Sequence, residues 1–137
     1  MTAKAGGKTL NILFICTGNT CRSPMAEAFA KYLGLQASSC GTHAKQGLPA
    51  SKHARDVLLR EYELDISNHS SRPISEELLQ EATLIVAMNK DHEEYIAQNF
   101  PRYMAKVHPL EVADPYGCDY DTYKACASVI RLIAKSL

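Results

Sequence analysis

The sequence predicts a single α/β domain, a three-layer sandwich in which helices flank a four-stranded parallel sheet. Three observations predict it. Two apolar runs, Leu10 to Ile15 and Thr83 to Met88, are nearly unbroken, as strands buried on both faces are. Apolar residues recur at helical spacing between and after those runs. Strands and helices therefore alternate, the pattern of right-handed crossovers. The chain of 137 residues is long enough for a real core and contains no repeat, low-complexity run or linker that would divide it.

In order, residues 1–8 are small and polar and contain Gly6 and Gly7, so they are expected as a mobile tail ahead of a domain spanning 9–137. The first strand ends at Ile15, just before Cys16. A helix is expected from Pro24 to about Leu33, with Met25, Phe29, Tyr32 and Leu33 at helical spacing and Gly34 as its stop. Pro24 at the first helical position gives up an N–H that has no partner anyway. Leu35 to Ser39 is too weakly signalled to stand as a strand on its own residues. A loop with Gly47 and Pro49 follows. Ser51 then caps a helix to about Tyr62, with Ala54, Val57 and Leu58 inward. Residues 66–73 connect to a short helix capped by Ser75 and bearing Leu78 and Leu79. After the strand Thr83 to Met88, a helix from Asp91 to Phe100 is stopped by Pro101. Val107 to Leu110 is a short fourth strand. A last amphipathic helix carries Tyr123, Cys126, Ala127, Ile130, Ile133, Ala134 and Leu137 on one stripe, while Tyr120 and Tyr123 also read as surface residues.

Fifteen basic and fifteen acidic residues cancel, so no global field draws the protein to nucleic acid or to a membrane. No apolar run reaches transmembrane length and no signal peptide is visible. Five cysteines, an odd number without zinc-site spacing, point to a reducing cytoplasm. His43, His53, His92 and His108 form no grouping that reads as a metal site. No metal or organic cofactor is expected.

Chemistry concentrates in Cys16-Thr17-Gly18-Asn19-Thr20-Cys21-Arg22-Ser23-Pro24. This is a strand-loop-helix junction. It lies beyond the C-terminal end of a strand, where parallel sheets bind ligands. The helix start offers unpaired N–H groups and a partial positive charge to an oxyanion. Gly18 and Asn19 tolerate positive φ, so the N–H groups of the loop can turn inward as an anion nest. Cys16 stands at the base of that nest, where amides and Arg22 favour the thiolate, the nucleophilic form. Arg22 can fork two N–H groups onto phosphate oxygens. Ser23 can donate to the sulfur and stabilise it as a leaving group. The residues point to a covalent phosphocysteine mechanism on a phosphorylated substrate.

That string resembles the phosphate loop of the low-molecular-weight protein tyrosine phosphatases, and the resemblance runs from about Leu10 to the C-terminus. It implies their flavodoxin-like fold, and it makes Leu35 to Ser39 the second strand. Cys16 and Arg22 would be catalytic, and Thr17, Gly18, Asn19, Thr20, Cys21 and Ser23 would form the anion-binding loop. Asp114-Pro115-Tyr116 matches the family's general-acid segment. By itself Asp-Pro is a common turn starter; the resemblance makes Asp114 the acid that protonates the leaving group and then the base that activates water. Tyr116 reads either as a wall of the cleft or as an ordinary half-exposed tyrosine. Ser39 and His69 match positions that brace the loop by hydrogen bonds with its asparagine and serine, here Asn19 and Ser23. Cys21 could be a small buried filler; the resemblance implies a reversible disulfide with Cys16.

The family as a whole implies a phosphotyrosine protein substrate. Thr20 departs from the tyrosine pattern, which carries a larger aliphatic residue there. It resembles the protein arginine phosphatase branch, which splits a phosphorus–nitrogen bond with the same nucleophile and acid. Thioredoxin-coupled arsenate reductases share the loop but need two further relay cysteines after the third strand, and residues 82–99 contain none.

Overall fold

The structure, a computed structural model, describes residues 4–5 and 8–137. Of the expected tail, residues 1–3 and 6–7 lie outside the described residues. Strands β1 (Lys4–Ala5) and β2 (Lys8–Thr9) pair antiparallel.

The main sheet has four parallel strands: β3 (Asn11–Cys16), β4 (Gln36–Gly41), β5 (Leu84–Ala87) and β6 (Val107–Pro109), in the order β4-β3-β5-β6. The helices are α1 (Arg22–Tyr32), α2 (Lys52–Tyr62), α3 (Glu76–Glu81), α4 (Lys90–Asn99) and α5 (Tyr120–Lys135). The three-layer expectation holds. Side chains of β3 alternate between two core clusters. Ile12, Phe14 and Cys16 face Met25 and Phe29 of α1, Val57 and Leu58 of α2, and Tyr123 and Ile130 of α5. Leu13 and Ile15 face Leu79 of α3, Ile85 of β5 and Ile96 of α4. Each fully buried Ile, Leu or Phe of this strand contributes about 1.5–3 kcal/mol.

Several boundaries differ from the sequence expectation for physical reasons. Helix α1 begins at Arg22, so Pro24 is its third residue; the first turn has no intrahelical use for that N–H either, and nothing is lost. β4 extends to Gly41 because its length is set by the parallel ladder with β3, from Asn11↔Gln36 to Cys16↔Gly41. Ser51 precedes α2 but its side chain makes no cap bond; its Oγ accepts the Cys21 thiol proton instead, at 3.3 Å. Ser75 does cap α3, accepting the Leu78 N–H at 3.3 Å. Pro101 stops α4 by opening a 3₁₀ turn, Pro101–Lys106, that the sequence pattern does not announce. Tyr123 is not a surface residue: it is 2% exposed, with its hydroxyl 3.2 Å from Cys21 Sγ. Among the described residues no helix is long and apolar enough to cross a membrane.

Candidate active site

Cys16 is the last residue of β3, a central strand hydrogen-bonded on both sides, so its position is fixed by the sheet. The loop beyond it folds back against the end of β4. There the neighbour is Gly41, and the fit needs a glycine. A Cβ on Gly41 would stand 2.5 Å from Thr17 O and 2.9 Å from Asn19 N. Thr42 and His43 donate their N–H groups to Cys16 O and Thr17 O, at 3.0 and 2.9 Å.

The loop curls at Asn19, which adopts φ 56°; Gly18 is not in the left-handed region, contrary to expectation. Asn19 tolerates that conformation because its side chain is hydrogen-bonded on every side. Its Nδ2 donates to Ser23 Oγ (2.8 Å) and Ser39 Oγ (2.9 Å), and its Oδ1 accepts the Arg72 N–H (3.0 Å). His69 Nε2 donates to its carbonyl at 2.6 Å.

These bonds also set the direction of a proton. Ser39 Oγ donates to the Glu27 carboxylate, so it accepts from Asn19. The other Asn19 N–H goes to Ser23 Oγ. The Ser23 proton is then left for Cys16 Sγ, 2.8 Å away. Ser39 and His69 both bond Asn19, Ser39 at its side chain and His69 at its carbonyl; neither bonds Ser23, which they reach only through Asn19. Asn19, Ser23 and Ser39 are buried, off the cleft wall, while His69 is half-buried.

Arg22 is 3% exposed and held from several elements. Its Nη1 donates to Asn89 Oδ1 and, at 2.9 Å, to Val112 O. Its Nη2 lies 3.6 Å from the half-exposed carboxylate of Asp114. Asp114 Oδ1 accepts the Tyr116 N–H at 3.0 Å, which shapes the Asp-Pro-Tyr turn. Behind this turn the Cys126 thiol approaches Ala113 O at 3.7 Å, and burial pushes that thiol up to about 11.

Cys16, Thr17, Gly18, Thr20, Cys21 and Arg22 floor a cleft of about 370 Å³; His43, Lys45, Leu48, Asp114 and Tyr116 form its rim. Tyr116 is 73% exposed at the mouth. Cys16 and Cys21 are both free thiols. Thr20 is partly exposed, and its hydroxyl has only a 3.8 Å contact with Cys21 Sγ. Sequence reasoning brings all three catalytic candidates to one cleft.

It misses Asn89, His92 and Gly41. His92 Nε2 lies 2.9 Å from Thr17 Oγ1, and its Nδ1 accepts the Asn89 N–H at 3.1 Å. A signal was present: Asn89 followed three residues later by His92 has capping-box spacing, with imidazole in the place of a carboxylate. Among the described residues no group of His, Cys, Asp and Glu could hold a metal ion.

Residues 11–137 match the family described as low molecular weight phosphotyrosine protein phosphatase. Among curated proteins, the chain is 38% identical to a protein-arginine-phosphatase of Bacillus subtilis (strain 168), covering 93% of this chain and 97% of that one. It is 32% identical to the low molecular weight protein-tyrosine-phosphatase Wzb of Escherichia coli (strain K12), covering 91% and 90%. Among solved structures, a low molecular weight protein tyrosine phosphatase from T. tengcongensis superposes with a TM-score of 0.87 at 39% identity, over 92% of this chain and 95% of that one. With the parallel sheet, the nested cysteine and the Asp-Pro turn in place, the chain belongs to the low molecular weight phosphotyrosine protein phosphatase family.

Proposed function

We propose that the protein hydrolyses phosphorylated side chains of proteins through a cysteinyl-phosphate intermediate, and that its substrate is phosphoarginine. The observation that carries the reaction is the shared cleft of Cys16, Arg22 and Asp114, with Ser23 against the Cys16 sulfur. The Cys16 thiolate attacks phosphorus while Arg22 and the loop N–H groups hold the non-bridging oxygens. The P–S bond forms as the bond to the leaving nitrogen breaks, and Asp114 gives that nitrogen a proton. Asp114 then takes a proton from water. The water oxygen attacks phosphorus, phosphate departs, and the Ser23 hydroxyl stabilises the returning thiolate. A reducing cytoplasm, the compartment that the cysteine usage suggests, suits such a thiolate.

The family at large favours phosphotyrosine. Thr20 favours phosphoarginine. Thr20 lines the cleft and its hydroxyl has only the 3.8 Å contact with Cys21 Sγ; a guanidine N–H can use such a hydroxyl where a phenyl ring cannot. The arginine phosphatase of Bacillus subtilis, with 38% identity, supports the same choice. Arsenate reduction finds no support: Cys118 is exposed, and Cys126 is buried behind the Asp114 turn.

The test sets phosphoarginine and phosphotyrosine peptides side by side against wild type, Thr20→Ile and Cys16→Ser. Wild type should prefer phosphoarginine, Thr20→Ile should shift toward phosphotyrosine, and Cys16→Ser should turn over neither. A wild-type preference for phosphotyrosine that Thr20→Ile leaves alone overturns the substrate assignment. Turnover by Cys16→Ser overturns the mechanism.

A further inference from the structure

The phosphate loop is held at both ends by one turn of one helix. Thr17 opens the loop and Arg22 closes it. The first turn of α4 reaches both: Asn89 through its Oδ1 to Arg22, and His92 through its ring to Thr17. His92 is 3% exposed, so its ring nitrogens have no water to fall back on. The Asn89 N–H points at Nδ1, at 3.1 Å, which makes Nδ1 an acceptor. The proton of the neutral ring is therefore on Nε2, and Nε2–H donates to Thr17 Oγ1 at 2.9 Å. Thr17 itself is exposed in the cleft, and its hydroxyl has no other protein partner among the described residues.

We propose that His92 is a positioning residue: by donating to the Thr17 hydroxyl it holds the first residue of the phosphate loop in register with Arg22, so that the loop N–H groups converge on the bound oxyanion. The arrangement works only with a neutral ring, since a second ring proton would face the Asn89 N–H. The surroundings keep it neutral. Burial and the Arg22 guanidinium, with a smaller push from His43, hold the imidazole down to about 4, against the opposing pull of Asp91 and Asp114.

The role in turnover rests on the phosphatase reading above; the effect on oxyanion binding does not, so inorganic phosphate is the probe. His92→Asn keeps an acceptor near the Asn89 N–H but is too short to reach Thr17. Thr17→Val keeps the side-chain shape, removes the hydroxyl and leaves the helix untouched, so it decides the matter if the His92 variant folds poorly. Phosphate affinity is measured by calorimetry, with the thermal midpoint, for wild type, each single variant and the pair.

Each single variant should bind phosphate about 3- to 10-fold more weakly, the worth of one net hydrogen bond, at a midpoint close to wild type. The double variant should lose no more than either single one, because both delete one contact. Unchanged phosphate affinity in Thr17→Val, or losses that multiply in the pair, overturns the proposal. A wild type that binds phosphate yet hydrolyses neither phosphopeptide removes the proposed function and leaves this inference to the same phosphate comparison.

Discussion

Asn19 commits all its side-chain hydrogen-bonding groups to the shape of one loop. It donates to Ser23 and Ser39, accepts from Arg72, and takes up φ 56°, a conformation that costs an ordinary L-residue roughly 1–2 kcal/mol. If the amide goes, the half-buried Arg72 N–H loses its acceptor, and buried Ser39 and Ser23 each lose a donor and keep only their bonds to Glu27 and Cys16. Asn19→Ala should therefore cost about 2–4 kcal/mol in urea unfolding, a few buried hydrogen bonds plus the backbone strain. Phosphatase activity should fall with it, because the Ser23 proton loses its fixed direction toward Cys16. Its neighbour supplies the contrast. A Cβ on Gly18 meets only Thr20 Oγ1, at 3.7 Å, an ordinary contact, and Gly18 is not in the left-handed region. Gly18→Ala should cost less than about 1 kcal/mol, the ordinary range for a substitution without strain. Equal losses for the two variants would show that loop curvature, not the asparagine network, governs stability here.

At the scale of elements, β4 is the strand least evident in its own residues. Gln36-Ala37-Ser38-Ser39-Cys40-Gly41 has neither an apolar run nor clean alternation. It is a strand because β3 offers it a parallel ladder from Asn11 to Cys16. By contrast β3 and the amphipathic α5 are legible by themselves: the first is an unbroken apolar run from Ile12 to Cys16, and the second repeats at helical spacing. The candidate site divides the same way. Cys16 and Arg22 form a local signature that can be read from spacing, whereas the Asp-Pro turn is an ordinary turn starter that only the family resemblance singles out. Partners that meet only in the fold cannot be read from spacing: His92 and Thr17 are 75 positions apart, and Tyr123 and Cys21 are 102 apart. Gly41 belongs to this second group, since its requirement is set by the loop lying against it. Gly41→Ala should drive the Cβ into Thr17 O and Asn19 N, both backbone atoms that have no rotamer to escape through. The loop must shift, and a shift of the order of 1 Å in a reacting site costs about 100-fold in rate. We expect Gly41→Ala to lose about that much in kcat/KM while remaining folded by circular dichroism. Near-wild-type turnover would show that the loop relaxes without penalty.

The whole molecule gathers its polar chemistry at the C-terminal ends of the sheet and its buried ionisable groups just beneath. Loops after all the main strands converge there: Thr17 to Thr20 after β3, Gly41 and His43 at and after β4, Asn89 after β5, and Val112 with Asp114 after β6. Burial around that edge gives the fold a bounded pH range. His92 titrates at about 4 in the fold against an ordinary 6.5, so between those values the unfolded chain binds the extra proton. Its contribution to stability is complete above 6.5 and is lost as pH falls through 4, at up to about 1.4 kcal/mol per pH unit. Cys40 and Cys126 are pushed up by burial, to about 12 and about 11, from an ordinary 9.0. In the alkaline range it is the unfolded chain that gives up protons first. Their contribution is complete below 9.0 and is lost as pH rises toward 11 and 12. The thermal midpoint should therefore be flat between about 6.5 and 9 and fall on both sides. The two limbs have separate owners and can be altered separately. His92→Asn should flatten the acid limb between pH 4 and 6.5 and leave the alkaline limb in place. Cys40→Ala with Cys126→Ala should leave the acid limb in place and weaken the alkaline limb from pH 9 upward, the remainder belonging to Tyr103, Tyr120 and Tyr123, whose hydroxyls burial also pushes up. An acid limb that keeps its full slope in His92→Asn would assign the acid loss to other groups.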